Sequence, residues 1–282
     1  MAVKRRCCRC RPRSTSGSDP ASGERRMRLY AFHCGGDHAD LAVFDPFDPD
    51  VGTKVYDPYF FYLVQHDEGN VLFDTGLHPA MRMDPRTRLG EAADAFPVVM
   101  EEDDDVVNQL AKLGLEPADV SHVVQSHLHF DHAGGLEFFL RATVCVHTAE
   151  LRFAHQPAVY QQGLYVRGDF DHPLMWKELD GDHDIFGDGR LVIFPTPGHT
   201  PGHQSLLVRL DENPIVLVGD ATYSLSKMRE RLLPAVVWSP DAMVASWDRI
   251  EEIERRENAF LICTHELDFR EKLRLAPGAW YE

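Results

Sequence analysis

Between Gln125 and Gly135 the chain reads Gln-Ser-His-Leu-His-Phe-Asp-His-Ala-Gly-Gly, which sets His127, His129, Asp131 and His132 within six residues. Three imidazoles and a carboxylate this close form a metal-ligating pattern. Imidazole suits zinc, iron, copper and nickel, and carboxylate adds a hard oxygen. A solvated loop or helix face has no need of such clustering. Three further side chains could complete the set. His199 lies in the stiff stretch Pro-Thr-Pro-Gly-His-Thr-Pro-Gly-His that ends at His203, Asp220 follows an apolar run at 214–219, and His265 follows another at 260–264. Each is the first strongly coordinating group after a buried-looking strand, and strand ends are where distant parts of a chain converge. Any one alone reads as an ordinary polar loop residue; together, in this order, they form a constellation.

The elements that must position these residues follow from periodicity. Residues 27–34 and 41–44 read as short strands. The run at 59–65 and the strand at 71–73 flank the turn Asp67-Glu68-Gly69-Asn70 and make a hairpin. Residues 103–113 carry Val106, Val107, Leu110 and Leu113 at helical spacing, with acids first and Gly114 last. Residues 120–125 are a strand leading into the histidines, 136–140 starts a helix, and 143–147 is the next strand. A short helix at 148–154 has Thr148 as its expected N-cap. Strands follow at 190–194, 204–210 and 214–218. Ser239 and Pro240 then open a helix that buries Val244, Trp247, Ile250 and Ile253, before a last strand at 260–263. Residues 77–102 and 155–176 are long irregular excursions of the kind that often wall a site; aromatic and Met side chains within them would suit an acyl chain or pack the loops themselves. Hairpins first and strand–helix alternation later predict an α/β fold with mixed sheets.

Composition narrows the class. The chain has 282 residues, 44% of them hydrophobic and 26% charged, as expected of a soluble globular protein. A formal net charge of −16 argues against a nucleic-acid-binding face. Eight Lys/Arg and only two acids fall within residues 1–26, so the body is more acidic still. That Arg/Ser/Gly/Pro-rich stretch reads as a disordered basic tail, with 27–282 as one domain. Of six cysteines, Cys7, Cys8 and Cys10 lie in the tail and Cys34, Cys145 and Cys263 are scattered, which is no disulfide framework; the reading is a reducing cytoplasm. No apolar run is long enough to cross a membrane.

His-x-His-x-Asp-His, then Pro-Gly-His-Thr-Pro-Gly-His, then Gly-Asp, then Thr-His resembles the metallo-β-lactamase superfamily over roughly residues 27–275. The resemblance implies an αββα sandwich of two mixed sheets with a two-metal site at one edge. It implies that His127, His129 and His199 hold one divalent ion, that Asp131, His132 and His265 hold the other, and that Asp220 bridges them. Zinc is the first choice, with iron, manganese or cobalt accepted by the same ligands. Asp74, in Leu-Phe-Asp-Thr-Gly, matches an aspartate that supports the metal loop; His203 is not carried over as a ligand.

Tyr223, three residues after Asp220, together with Phe130, the Ala-Gly-Gly after His132 and the stretch 71–79, is similar to the N-acyl-homoserine lactone lactonases. That branch implies a hydroxide bridging two ions, which attacks the lactone carbonyl. Tyr223 would stabilise the oxyanion and Asp131 would carry a proton to the leaving oxygen. The expected partner is a small lactone, with neither nucleic acid nor membrane, and self-association into a homodimer is compatible with the branch. The runner-up is another ester or thioester hydrolase of the fold, a γ-butyrolactonase or a glyoxalase II-like enzyme; the 17 residues after His265 disfavour the latter's extra helical domain. A metal-stabilised binding protein is the non-enzymatic alternative, and an intact ligand set with an added tyrosine disfavours it.

Overall fold

The computed structural model describes residues 26–282. The basic tail expected over residues 1–26, with Cys7, Cys8 and Cys10, lies outside them apart from Arg26. A first sheet is built from β1 (Arg28–Asp40), β2 (Lys54–His66), β3 (Gly69–Phe73), β4 (Val120–Val124), β5 (Thr143–His147) and β6 (Met175–Leu179), in sequence order. The first three pair antiparallel and the rest parallel. A second sheet holds β7 (His183–Asp184), β8 (Leu191–Pro195), β9 (Gln204–Val208), β10 (Ile215–Gly219) and β11 (Phe260–Cys263) in the order β11-β10-β9-β8-β7, with only the β10–β11 pair parallel.

The apolar run in β2 reflects burial of both strand faces. Phe60, Tyr62 and Val64 pack in the cluster that includes Ile193, Leu206 and Leu217 of the second sheet, while Phe61 and Leu63 pack with Val106 and Leu110 of the helix Val106–Ala111. On the far side Trp247 and Ile250 of the helix Pro240–Glu257 close the second sheet. Two mixed sheets lie face to face with helices outside them, as the sequence predicts.

Local chemistry sets the helix ends. Asp105 accepts from the backbone N–H of Val107 and Asn108, both at 3.0 Å, and Ser239 caps the long helix with Pro240 at its first turn. Several expectations differ from the structure: the helix expected from 136 is only a 3-10 turn, Leu136–Phe138, and the long helix buries Met243 where Val244 was expected. Residues 41–44 are not a strand: Leu41–Val43 is a 3-10 turn, capped by Asp40 through the Ala42 N–H. The first strand instead runs on across a bulge between His33 and Gly36, where Gly35 takes φ +96°. The helix Thr148–His155 is capped by His147, whose Nδ1 accepts from the Ala149 N–H, because the Thr148 hydroxyl donates to the Leu179 carbonyl. Residues 175–179, the first two of them assigned to an excursion, form edge strand β6, which its Lys177 and Glu178 disguise.

The fold brings the carboxyl ends of β3, β4, β8, β10 and β11 to one edge of the sandwich. Asp74, residues 125–132, the 196–203 loop, Asp220 and His265 all follow directly from those ends.

Candidate metal centre

Asp74 is where the site begins. It holds a left-handed backbone (φ 63°), uncommon for a residue with a side chain. Its carboxylate accepts from the Ser126 N–H at 2.7 Å, the Ser126 hydroxyl at 2.8 Å and His132 Nδ1 at 2.8 Å. Thr75 adds two bonds to the His132 carbonyl, from its N–H at 2.8 Å and its hydroxyl at 2.9 Å. The loop after β3 thus grips the loop after β4, which explains a strained aspartate at this position.

All seven candidate ligands are buried and lie in two groups: His127, His129 and His199; and Asp131, His132, Asp220 and His265. Asp220 Oδ2 stands 3.5 Å from His199 Nε2, 3.9 Å from His127 Nε2 and 3.0 Å from His265 Nε2, and Oδ1 stands 3.2 Å from His132 Nε2. One carboxylate therefore reaches both groups. Asp131 Oδ2 is 3.3 Å from His132 Nε2 and 3.6 Å from His265 Nε2. His129 turns Nδ1 toward His199 Nε2 at 3.1 Å.

On three more of the histidines the ring nitrogen that faces away is engaged, whereas His129 Nε2 has no partner. His127 Nδ1 meets the Ser126 hydroxyl at 3.0 Å, His199 Nδ1 donates to the Val236 carbonyl at 3.0 Å, and His265 Nδ1 donates to Asp57 at 3.0 Å. Such outer partners fix ring orientation and leave the inward nitrogen free to ligate. The inward atoms His127 Nε2, His132 Nε2 and Asp220 Oδ1 have no hydrogen-bond partner although fully buried. Native proteins rarely leave such atoms unsatisfied. Their convergence fits a pair of divalent cations.

Charge tells the same story. Burial disfavours protonation of His132 and His265, but Asp220, with Asp131 and Asp74 at the first and Asp57 at the second, outweighs it and holds both well above the ordinary imidazole range. Burial and neighbouring imidazoles hold His127 and His129 well below it. Burial opposes ionisation of Asp220, yet His265 and His132 keep it well below the usual carboxylate range. Without metal, protons on two imidazoles balance the clustered carboxylates.

His203 is not among the inward groups. Its Nε2 accepts from the Asp220 N–H at 3.0 Å and its Nδ1 meets the Thr196 hydroxyl at 2.9 Å, so it braces the loop that carries His199. Tyr223 packs edge-on to His265, ring centroids 4.6 Å apart, and to His199 at 5.7 Å. Burial, with Asp220 and Asp131 nearby, holds its phenol well above its usual pKa. Tyr223 lines a pocket of about 140 Å³ together with His129, Asp131, Asp220 and His265. Of the two apolar residues between the histidines, Phe130 borders this pocket while Leu128 is packed away in the core. Ala95 and Phe96 of the first excursion and Leu164 of the second also line it, but Phe170 is buried in the core cluster of the first sheet's outer face and Tyr160 is exposed.

Sequence reasoning passed over Asp57, Ser126 and Glu150, and took Tyr165 only as one of the aromatic residues of the second excursion. Asp57 sits within a strand with no motif around it, and Glu150 falls on an ordinary helical turn. The one available signal was a lone acid beside aromatic residues in the otherwise apolar stretch that ends at 65.

Comparison with known proteins agrees with this geometry. Residues 57–265 match the metallo-beta-lactamase superfamily. The chain is 39% identical over 227 residues to the N-acyl homoserine lactonase AttM of Azorhizobium caulinodans, covering 78% of this chain and 86% of that one. It is 29% identical over 222 residues to the N-acyl homoserine lactonase AiiA of Bacillus thuringiensis subsp. kurstaki, with the same coverage. Among solved structures it is similar to an N-acyl homoserine lactone hydrolase holding the product N-hexanoyl-L-homoserine at its catalytic metal centre. The TM-score is 0.81 at 26% identity, covering 91% of this chain and 99% of that one.

Proposed function

Because this chain belongs to the metallo-beta-lactamase superfamily, we propose that it is a dinuclear metal-dependent hydrolase that opens the lactone ring of N-acyl homoserine lactones. The observation that carries the reading is one carboxylate, Asp220, within reach of both histidine groups and beside a tyrosine on the pocket wall. In this reading His127, His129 and His199 hold one ion, Asp131, His132 and His265 hold the other, and Asp220 bridges them. Zinc is the metal we assign, since imidazole-rich sites with carboxylates suit it. Two bound ions supply Lewis acidity and an acidified water near neutral pH.

The chain's own residues do the rest. Tyr223 stays protonated throughout the neutral range, so its O–H is available to donate to the lactone carbonyl oxygen as negative charge develops there. Asp131 borders the same pocket and can pass a proton to the departing ring oxygen. Phe96, Phe130 and Leu164 offer an apolar wall for the acyl chain. No protein nucleophile is required, and Cys34, Cys145 and Cys263 are buried free thiols away from the pocket lining. Those thiols support a reducing, cytoplasmic setting. No helix among the described residues is long and apolar enough to cross a membrane. Residues 27–282 act as a single catalytic domain, and a homodimer is compatible with it.

The test follows acid release from N-acyl homoserine lactones of several chain lengths. The wild type opens them. His129→Ala loses metal and activity together. Tyr223→Phe keeps its metal and loses about 10²-fold in kcat, the scale of one oxyanion donor. A fully metallated wild type inert toward every lactone refutes the proposal; an unchanged Tyr223→Phe removes only the role given to the phenol.

A further inference from the structure

Glu150 has no solvent exposure and sits in the first turn of the helix Thr148–His155. Its Oε1 accepts from the Leu128 N–H at 3.0 Å and the Tyr165 hydroxyl at 2.8 Å, and Oε2 accepts from the Thr200 hydroxyl at 2.5 Å. None of the three donors is a cation. A buried carboxylate is costly unless its lone pairs are satisfied, so these bonds must hold together for the site to persist. Leu128 lies between His127 and His129, and Thr200 follows His199. The Tyr165 ring stands against His129 at 4.6 Å. Gly202 is seated so closely on the helix that a Cβ there would meet Glu150 N at 2.1 Å. Leu128, Thr200 and Tyr165 each adjoin or pack on a histidine of the three-histidine group, and Glu150 makes no hydrogen bond to Asp131, His132 or His265.

We propose that Glu150 is a positioning residue for one half of the centre: it ties the His127/His129 loop to the His199 loop at the separation a single ion needs. The inference rests on the two-ion reading above. It adds a support specific to the three histidines, whereas Asp74 and Asp57 bond His132 and His265 directly and Asp74 reaches His127 only through Ser126. Replacing Glu150 by Leu would strip a buried backbone N–H group and two hydroxyls of their acceptor at once, and the loops would have to part to find water.

The test uses the full chain, stripped of metal and titrated with Zn2+ against a chromogenic chelator, alongside thermal unfolding. The wild type binds two Zn2+ in two steps. Glu150→Leu raises the Kd of one step about 10–100-fold, the usual cost of losing an outer-sphere partner, and leaves the other within about threefold. Glu150→Gln retains an acceptor oxygen for Leu128 and Tyr165, so it recovers most of the loss. Tyr165→Phe and Thr200→Val each give a smaller shift in the same step, and they carry the test if Glu150→Leu does not fold. Equal weakening of both steps, or no change in either, in folded variants overturns the assignment to the three-histidine half. A wild type that binds fewer than two Zn2+ overturns the two-ion reading itself.

Discussion

His265 leans on Asp57 through Nδ1 at 3.0 Å, while its Nε2 faces Asp220 and Asp131. Burial pushes the Asp57 carboxyl up to about 7, against the pull of His265, so this aspartate holds a charge at some cost and only because the imidazole is there. Asp57→Ala frees the ring to rotate and weakens the zinc step opposite to the one assigned to Glu150, by about 10–100-fold. The same chelator titration reads it, and a Kd unchanged in both steps would dismiss the role of Asp57. The contrast with the ligands is instructive about what a sequence displays. His127 to His132 are visible because four ligating types crowd six positions, and His199, Asp220 and His265 because each ends an apolar run. Asp57 and Glu150 are brought to the site by strand register and helix packing, which no local spacing encodes. Asp74 was legible only through the resemblance of its motif.

At the scale of elements, the two long excursions are clasped to each other. Arg88 of the first bonds Asp169 of the second, whose side chain is fully buried, and Asp169 Oδ2 has no partner. Burial outweighs the guanidinium and pushes the Asp169 carboxyl up to about 6, from 3.8. The folded protein therefore binds this proton more tightly than the unfolded chain does. The group's contribution to stability is whole below about pH 4 and declines as pH rises through about 6. Arg88→Met moves the folded value higher, so the decline continues past neutrality, and unfolding midpoints measured across pH in both proteins show it. Because Phe96 and Leu164 are carried on the clasped segments, the variant also raises KM for long-chain lactones more than for short ones. Parallel pH profiles of stability would remove the clasp. Here the sequence was a poor guide. Hairpins, the central strands and the long helix were legible from alternation and caps, but the excursions lack periodicity, and their short helical turns, such as Arg86–Leu89 and Arg167–Phe170, are held by tertiary contacts of this kind.

For the molecule as a whole, the centre sits where the two sheets meet. β3 and β4 bring Asp74 and the 127–132 loop from one sheet; β8, β10 and β11 bring His199, Asp220 and His265 from the other. In the proposed two-ion reading, ions held between these groups would link the sheets and would bind the folded chain alone. At a free concentration about 1,000 times Kd such binding adds about 4 kcal/mol. In a domain of this size that corresponds to a Tm higher by about 8–16 °C. Stripping the metal with a chelator should lower the Tm by that amount, and adding Zn2+ back should restore it. The difference should also depend on pH in a fixed direction. In the metal-free protein His132 and His265 hold their protons well above the ordinary imidazole range, because Asp220 and its neighbours favour the charged rings. An entering ion must expel those protons, so apparent affinity rises with pH and the gap between metal-loaded and stripped Tm narrows from about pH 8 to about pH 6. Calorimetry in buffers of different ionisation enthalpy would count the protons released. A Tm indifferent to chelation, or a gap that widens in acid, would mean that the seven converging side chains stabilise the sandwich by themselves and that the protons on His132 and His265 are its native counter-charges.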